Sequence, residues 1–371
     1  MLQNWVTAAR EEWFLAVSIG IGAIFLGFGP DLADALPAPL GTALLFVVLF
    51  FTVLGAGLCV VRHADHLAIR LGEPYGTLIL TLAVTIIEVI SITAMMTHGA
   101  HNAALVRDTV FAVVMILLNG MVGVSLLFGG WRHKEQVYNL QGANAYMGVI
   151  IPLTVLSLVL PNFTMTTPGP TLSPAQEDFV ALVSIGLYAA FVAVQTSRHR
   201  AYFTLDAADE AGHHEAPHST ERHPATHAIL LVAYMVPLVY LAEQLAHPVE
   251  ALLQTLDAPA ALGGCIIAIL VATPEAVGAV RAAAANRLQR SMNIFLGSVL
   301  ATIGLTIPAM LVIGRLNGES LVLGLQNANT VMLLLTLAVS LVTFSSQRTN
   351  VLQGTVHLVL FGAFILLLFQ G

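Results

Sequence analysis

The chain has very little charge for its length. Of its 371 residues only 9% are Asp, Glu, Lys or Arg, whereas 57% are hydrophobic and the mean hydropathy is +0.85. Soluble domains carry about 25% charged residues. The composition therefore excludes an ordinary soluble protein and indicates a polytopic membrane protein. The net charge of −7 decides little, because orientation depends on the charge of each loop. No nucleic-acid partner is expected.

Cysteine is scarce as well. The chain has two, Cys59 and Cys265, and both lie inside apolar runs. A disulfide framework is therefore disfavoured, and we interpret both as small buried hydrophobic residues. The first apolar run, residues 13–29, lacks a small-residue cleavage site and is expected to remain as a helix.

Apolar runs, in contrast, are abundant. Eleven are long enough to be membrane helices, and they predict an all-α polytopic fold. Twelve of the 14 Lys and Arg residues fall on one side if the N-terminus is cytoplasmic, with Arg107 and Arg315 as exceptions. This bias predicts a plasma (inner) membrane protein with its N-terminus inside and its C-terminus outside. The runs are 13–29, 39–61, 77–98, 108–130, 143–161, 177–196, 227–246, 261–280, 291–313, 329–346 and 350–370.

The longest hydrophilic segment, residues 197–226, divides the chain. It is acidic, and with His227 at its edge it holds six of the 13 histidines. It is interpreted either as a solvated cytoplasmic linker or as a pH or metal sensor, because histidine changes charge near neutral pH. The predicted units are an extra N-terminal helix in 1–38, a five-helix repeat in 39–196, this linker, and a second five-helix repeat in 227–371.

Two separated sequence matches indicate a duplication. The pattern LQxANxxM opens at Leu140 and again at Leu325, 185 residues later, and two intramembrane glutamates, Glu88 and Glu275, are 187 residues apart. Five helices is an odd number, so the two copies must lie in opposite orientations. Inverted repeats with a polar site near the midplane are a common plan of secondary transporters. The alternative is chance matching of short apolar words.

Those two glutamates are the strongest candidates for function. Glu88 lies 11 residues into the run from Thr77 to His98, so a helical rise places it about 16 Å deep. Glu275 is about as deep in residues 261–280. A carboxylate at this depth costs several kcal/mol, which makes each a candidate cation- and proton-binding residue.

Neutral oxygen donors lie near both glutamates in the sequence. Thr81 and Thr85 share a helix face with Glu88, and Thr273 stands just before Pro274, which frees a carbonyl one turn earlier. Threonine hydroxyls alternatively bond to carbonyls of their own helix. The other predicted lining residues are Asn119, Ser298 and Thr302.

This donor set is carboxylate, hydroxyl, amide and carbonyl, which suits calcium or sodium better than zinc or copper. Two carboxylates neutralise one divalent ion, and without it two buried like charges repel and lose hydration. Protons can therefore replace the metal ion. The expected activity is cation/proton exchange, with transported ions but no resident cofactor.

Two motifs resemble those of bacterial calcium/proton antiporters, in the cation exchanger branch of the calcium/cation antiporter superfamily. Gly72–Thr77 runs into Ala83–Val89, and Ala272–Ala276 is followed by Asn286–Asn293 and Leu296–Ser298. The resemblance implies an eleven-helix antiporter that exports calcium, and in some members sodium or potassium, against proton entry. It implies that the two motif glutamates bind cation and proton. The first motif lacks the Gly-Asn-x-Pro/Ala-Glu pattern common in the family.

Other function classes remain as alternatives. The nearest is an Na⁺/H⁺ or K⁺/H⁺ antiporter on the same scaffold. An intramembrane hydrolase is disfavoured because the spans hold no HExxH motif and no aspartate pair. His98 and His357 are isolated near helix ends and are interpreted as interfacial. A passive channel is disfavoured because glutamates at matched depth in inverted repeats favour alternating access. The expected partners are inorganic cations, protons and lipid; the sequence predicts no oligomeric state.

Overall fold

The computed structural model of the chain describes residues 12–35, 39–71, 75–98, 102–204 and 223–370. Most of the hydrophilic linker, residues 205–222, lies outside these ranges, as do residues 72–74 of the first motif. The predictions that concern them therefore stay predictions.

Eleven helices form the described part of the chain, which confirms the predicted all-α polytopic fold. Several are longer than the predicted runs because polar turns extend them beyond the apolar core. In chain order they are α1 (Trp13–Ala35), α2 (Leu40–Leu71), α3 (Tyr75–His98), α4 (Leu105–His133), α5 (Leu140–Asn162), α6 (Pro174–Arg198), α7 (Pro224–Thr255), α8 (Ala261–Ala284), α9 (Leu288–Asn317), α10 (Asn327–Thr343) and α11 (Val351–Gln370).

Burial separates inner helices from outer ones. Nine of the described helices are long and apolar enough to cross a membrane; α10 and the apolar part of α1 are shorter. In their most apolar windows, α4 is 89% buried and α9 78%, whereas α6 is 28% and α11 22%. A helix that is hydrophobic on all sides and covered by protein lies at the centre of a bundle. α4 and α9 therefore form the core, and α6 and α11 lie at the periphery with exposed apolar faces.

Short backbone pairings join loops from the two halves. Strand β1 (Gln136–Val137), between α4 and α5, pairs antiparallel with β2 (Arg348–Thr349), between α10 and α11. At the opposite end, Thr171 in the α5–α6 loop forms a single antiparallel bridge with Val322 in the α9–α10 loop. An exchange of the two halves turns one pairing into the other, so the loop contacts follow the inverted repeat.

Tyr138, which follows β1, hydrogen-bonds to the backbone that precedes β2. Its hydroxyl donates to the carbonyl oxygens of Ser346 and Thr343, the latter at 3.2 Å. Burial raises the pKa of Tyr138 to about 12, so the phenol remains a donor across the physiological pH range.

The two core helices share a local irregularity. α4 passes through a π-helical segment at Ile116–Met121 and α9 through one at Thr302–Thr306. Asn119 is the fourth residue of the first segment, and Thr302 is the first residue of the second. Such π segments are frequent at functional sites because they redirect side chains out of the regular helical pattern.

Candidate cation site

Glu88 is held by the core helix of the other half. Its side chain on α3 is buried, with 1% exposed, and its Oε2 accepts hydrogen bonds from Thr302 Oγ1 at 2.9 Å and Thr306 Oγ1 at 3.0 Å. These two threonines begin and end the π segment of α9. The predicted lining residue Thr302 is therefore placed directly against the predicted cation-binding carboxylate.

Glu275 occupies the equivalent position on α8 and is also 1% exposed. The Ser298 hydroxyl of α9 lies beside it, although neither carboxylate oxygen has a hydrogen-bond partner. Helix α3, which carries Glu88, packs directly against α8. Pro274 precedes Glu275 within the continuous helix α8 and packs against Gly57 of α2.

The carboxylate oxygens form an incompletely satisfied donor set. Glu88 Oε1 and both oxygens of Glu275 are buried without a hydrogen-bond partner. In the bilayer interior such atoms require a proton or a cation, because an isolated buried charge is costly. Within the described ranges no three His, Cys, Asp or Glu side chains are grouped as a metal cluster would need. Carboxylate and hydroxyl oxygens fit a hard cation rather than a transition metal.

The other predicted lining residues bond elsewhere. Thr85 donates to the Thr81 carbonyl at 2.9 Å, and Thr273 donates to the Ile269 carbonyl at 2.5 Å, so both hydroxyls satisfy their own helices. Asn119 is fully buried and bonds to α10 and α11. The structure thus brings Thr302 and Ser298 to the glutamates, whereas the hydrogen bonds of Thr85, Thr273 and Asn119 go to other partners.

Two buried polar side chains, Thr306 and His357, were not identified from the sequence as part of the polar interior. Thr306 lies four residues after Thr302, and that spacing is the signal that could have identified it. His357 is 0% exposed, and both of its ring nitrogens lie within hydrogen-bonding distance of side chains on neighbouring helices. Its interpretation as an interfacial histidine is therefore wrong, because a position six residues into α11 faces α4 and α10 rather than the membrane surface.

A cavity of about 360 Å³ opens between α2, α8 and α9 on the side that carries most of the basic residues. Pro274, the neighbour of Glu275, lies on its wall. An ion pair between Arg290 of α9 and Asp65 of α2, with 3.1 Å between Nη2 and Oδ1, stands at this cavity. The cavity thus extends from the basic end of the bundle to the residue beside the acidic pair.

Together, inverted halves, a buried acidic pair and a cavity on one side define a secondary transporter. Residues 41–197 and 226–370 match the family described as sodium/calcium exchanger protein. The chain belongs to this family, which confirms the resemblance to the calcium/cation antiporter superfamily.

Two similar proteins support this assignment, and a solved structure shares the fold. The chain is 45% identical to the putative ionic transporter y4hA of Sinorhizobium fredii, over 84% of this chain and 85% of the relative. It is 40% identical to the sodium-potassium/proton antiporter ChaA of Escherichia coli, over 85% and 86%. The solved structure of the H⁺/Ca²⁺ exchanger CAX has the same fold, with a TM-score of 0.68, 16% identity, and coverage of 96% of this chain and 88% of that one. The protein is a multi-pass membrane cation/proton antiporter.

Proposed function

We propose that the chain exchanges Ca²⁺ for H⁺ by alternating access, with Glu88 and Glu275 binding either the metal ion or protons. The observation that carries the proposal is the pair of buried carboxyl groups, which leave three oxygens without a hydrogen-bond partner. A divalent ion balances two carboxylates, and so do two protons. Either ion makes the site neutral enough to reorient, whereas an empty site with two charges is held back by their cost in the membrane interior.

Two kinds of observation favour calcium: the charge of the site, and the names of the family and of a protein with the same fold. The description of the family names sodium and calcium, and a solved structure with the same fold is named an H⁺/Ca²⁺ exchanger. The second candidate is Na⁺/H⁺ or K⁺/H⁺ exchange, because the Escherichia coli relative is named for those ions. Oxygen ligands alone do not separate these cations, so the proposal needs a direct competition experiment.

The proposed location is the plasma (inner) membrane, with the N-terminus in the cytoplasm and the C-terminus outside. The bias of 12 of the 14 basic residues to one side supports this orientation. In this arrangement the 360 Å³ cavity opens to the cytoplasm, where the exported cation enters. Exposed apolar side chains of the outer helices, such as Leu182 and Leu352, contact lipid.

The test replaces each glutamate with its neutral analogue. Glu88→Gln and Glu275→Gln should each reduce uptake of labelled calcium into everted membrane vesicles to background, because glutamine supplies neither the charge nor the exchangeable proton. Both proteins should remain in the membrane at normal abundance. Glu135→Gln is the control, since Glu135 is half-exposed and pairs with Arg348 at the bundle end. Full exchange in either site variant would contradict the proposal.

Competition by sodium and potassium separates the two candidates. If the unmodified protein takes up calcium in exchange for protons, an excess of sodium or potassium measures its selectivity. If it takes up labelled sodium or potassium but no calcium, the monovalent alternative holds. A channel would move calcium without moving protons, and a pH indicator in the same vesicles detects that difference.

A further inference from the structure

The two π segments are equivalent in sequence position, but their polar side chains serve different partners. The segment Thr302–Thr306 packs against α3, and its two threonines donate to Glu88. The equivalent segment Ile116–Met121 packs against α8, the helix of Glu275. Asn119, the polar side chain of this segment, bonds to α10 and α11. No α4 side chain donates to Glu275, and the polar group beside it is the Ser298 hydroxyl of α9.

Both ends of the Asn119 amide are occupied. Its Nδ2 donates to Thr336 Oγ1 at 2.8 Å, and its Oδ1 lies 3.3 Å from His357 Nδ1. Since the amide nitrogen donates to Thr336, the oxygen is the acceptor and the imidazole Nδ1–H donates to it. The Thr336 hydroxyl in turn faces Met115 Sδ at 3.6 Å, one turn before Asn119.

The imidazole itself is fixed from the opposite side. His357 Nε2 lies 3.0 Å from Thr343 Oγ1 on α10, and both side chains are buried. Close packing of α11 on α4 adds to this, because Gly120 stands against the Phe361 ring. A buried hydrogen-bonded network of this kind holds each member in one orientation. Asn119 is therefore fixed by two helices that carry no acidic residue of the site.

We propose that His357 and Thr336 are specificity-determining residues, which keep the Asn119 amide oxygen out of the coordination sphere of the acidic pair. This inference rests on the proposed function of Glu88 and Glu275. The amide oxygen is the atom of the asparagine side chain that binds a hard cation, and here it accepts the hydrogen bond from His357.

The withheld oxygen matters more for calcium than for sodium or potassium. The attraction between an ion and a carbonyl dipole grows with the charge of the ion. Calcium also takes six to eight oxygen ligands, so a site short of one neutral oxygen loses more of its calcium affinity than of its affinity for a monovalent ion. The network around Asn119 thus shifts the site toward monovalent ions, and its release should shift the site toward calcium.

The experiment measures KM for labelled calcium and for labelled sodium with the full-length protein in proteoliposomes under a fixed pH gradient. His357→Leu removes the donor to the amide oxygen, and Thr336→Val removes the acceptor for the amide nitrogen. His357→Leu should raise the preference for calcium over sodium by about five-fold, the effect of one net polar interaction. Thr336→Val should raise it by less, because the hydrogen bond from His357 to the amide oxygen remains. Addition of Asn119→Leu to His357→Leu should abolish the gain, because the gain comes from the released amide oxygen.

Ser340→Ala is the matched control. Ser340 is a buried residue on α10, four residues after Thr336, and its Oγ has no hydrogen-bond partner, so the selectivity ratio should not change. An unchanged or lower preference for calcium in a folded His357→Leu protein overturns the inference. If that variant fails to fold, the same criterion applies to Thr336→Val. The Glu88→Gln and Glu275→Gln variants separate failure of this inference from failure of the proposed function. The proposed function fails only if those variants still exchange.

Discussion

At the scale of single residues, the two glutamates differ in the support they receive. Glu88 Oε2 accepts two hydroxyl hydrogen bonds from α9, whereas Glu275 accepts none. Hydrogen bonds to a charged group contribute about 1.5–3 kcal/mol each, so the α9 threonines are substantial contributors to the site. The site is thus asymmetric in its contacts although its carboxylates are equivalent in the repeat.

Removal of these donors should weaken cation binding. The Thr302→Val and Thr306→Val double variant keeps side-chain volume but leaves the Glu88 carboxylate without its donors. We expect the KM of the transported cation to rise by about ten-fold or more, and each single variant to have a smaller effect. Transport kinetics in proteoliposomes measure both.

Thr52→Val is the control for this pair. The Thr52 hydroxyl is equally buried but donates to the Val48 carbonyl of its own helix, so its loss should leave KM unchanged. A double variant with the KM of the unmodified protein would show that Thr302 and Thr306 do not support the carboxylate during transport.

Sequence reasoning identified the residues whose burial in the membrane carries an unusually high free-energy cost. Glu88 and Glu275 were identified because a carboxylate deep in an apolar run needs a reason. His357 was not, because a histidine near a helix end has the same sequence pattern whether it faces water or a neighbouring helix. Its burial depends on Asn119 and Thr343, which are distant in the chain. Thr85 and Thr273 show the same limit, since their choice between cation site and own helix is a tertiary one.

At the scale of helices, the contact between α4 and α11 is built for close approach. A Cβ atom on Gly354 of α11 would lie 2.6 Å from the backbone nitrogen of Leu127 and 2.9 Å from the carbonyl oxygen of Gly123. Backbone atoms of a buried helix do not yield as a flexible side chain does. Small residues that let helices approach are a typical source of stability in membrane bundles.

Gly354→Leu should therefore destabilise the bundle. Overpacking typically costs about 1–3 kcal/mol, and contact with the backbone atoms of α4 puts this site at the upper end. The midpoint of thermal unfolding in detergent should fall. Gly362→Leu on the same helix provides the control, because a Cβ there meets nothing within 4 Å. Equal midpoints for the two variants would contradict this account of the α4–α11 contact.

The number and order of the helices could be predicted from the apolar runs and the basic residues. The π segments and the β1–β2 pairing could not. The π segments of α4 and α9 have no distinctive composition, and they redirect Asn119 and Thr302 in ways a regular helix would not. The β1–β2 pairing consists of two residues in each strand, too short for a period-two pattern to indicate. Both arise from packing between the halves rather than from local preference.

At the scale of the whole molecule, the two halves form one transport unit across their interface. Glu88 of the first half depends on α9 of the second, and α4 of the first half packs against α8 of the second. The loop pairings at the two ends of the bundle also join one half to the other. Every described contact at the site is therefore made without the hydrophilic segment that connects the halves.

Deletion of residues 206–221 should accordingly leave exchange largely intact. The family match stops at residue 197 and resumes at 226, so the segment lies outside the part of the chain that the family match covers. A short polar linker in its place must still span the distance from the end of α6 to the start of α7. Calcium uptake and its pH dependence in everted vesicles measure the result. Unchanged transport with an unchanged pH profile would support a tether, whereas loss of uptake or a shifted profile would instead support the alternative of a histidine-based sensor.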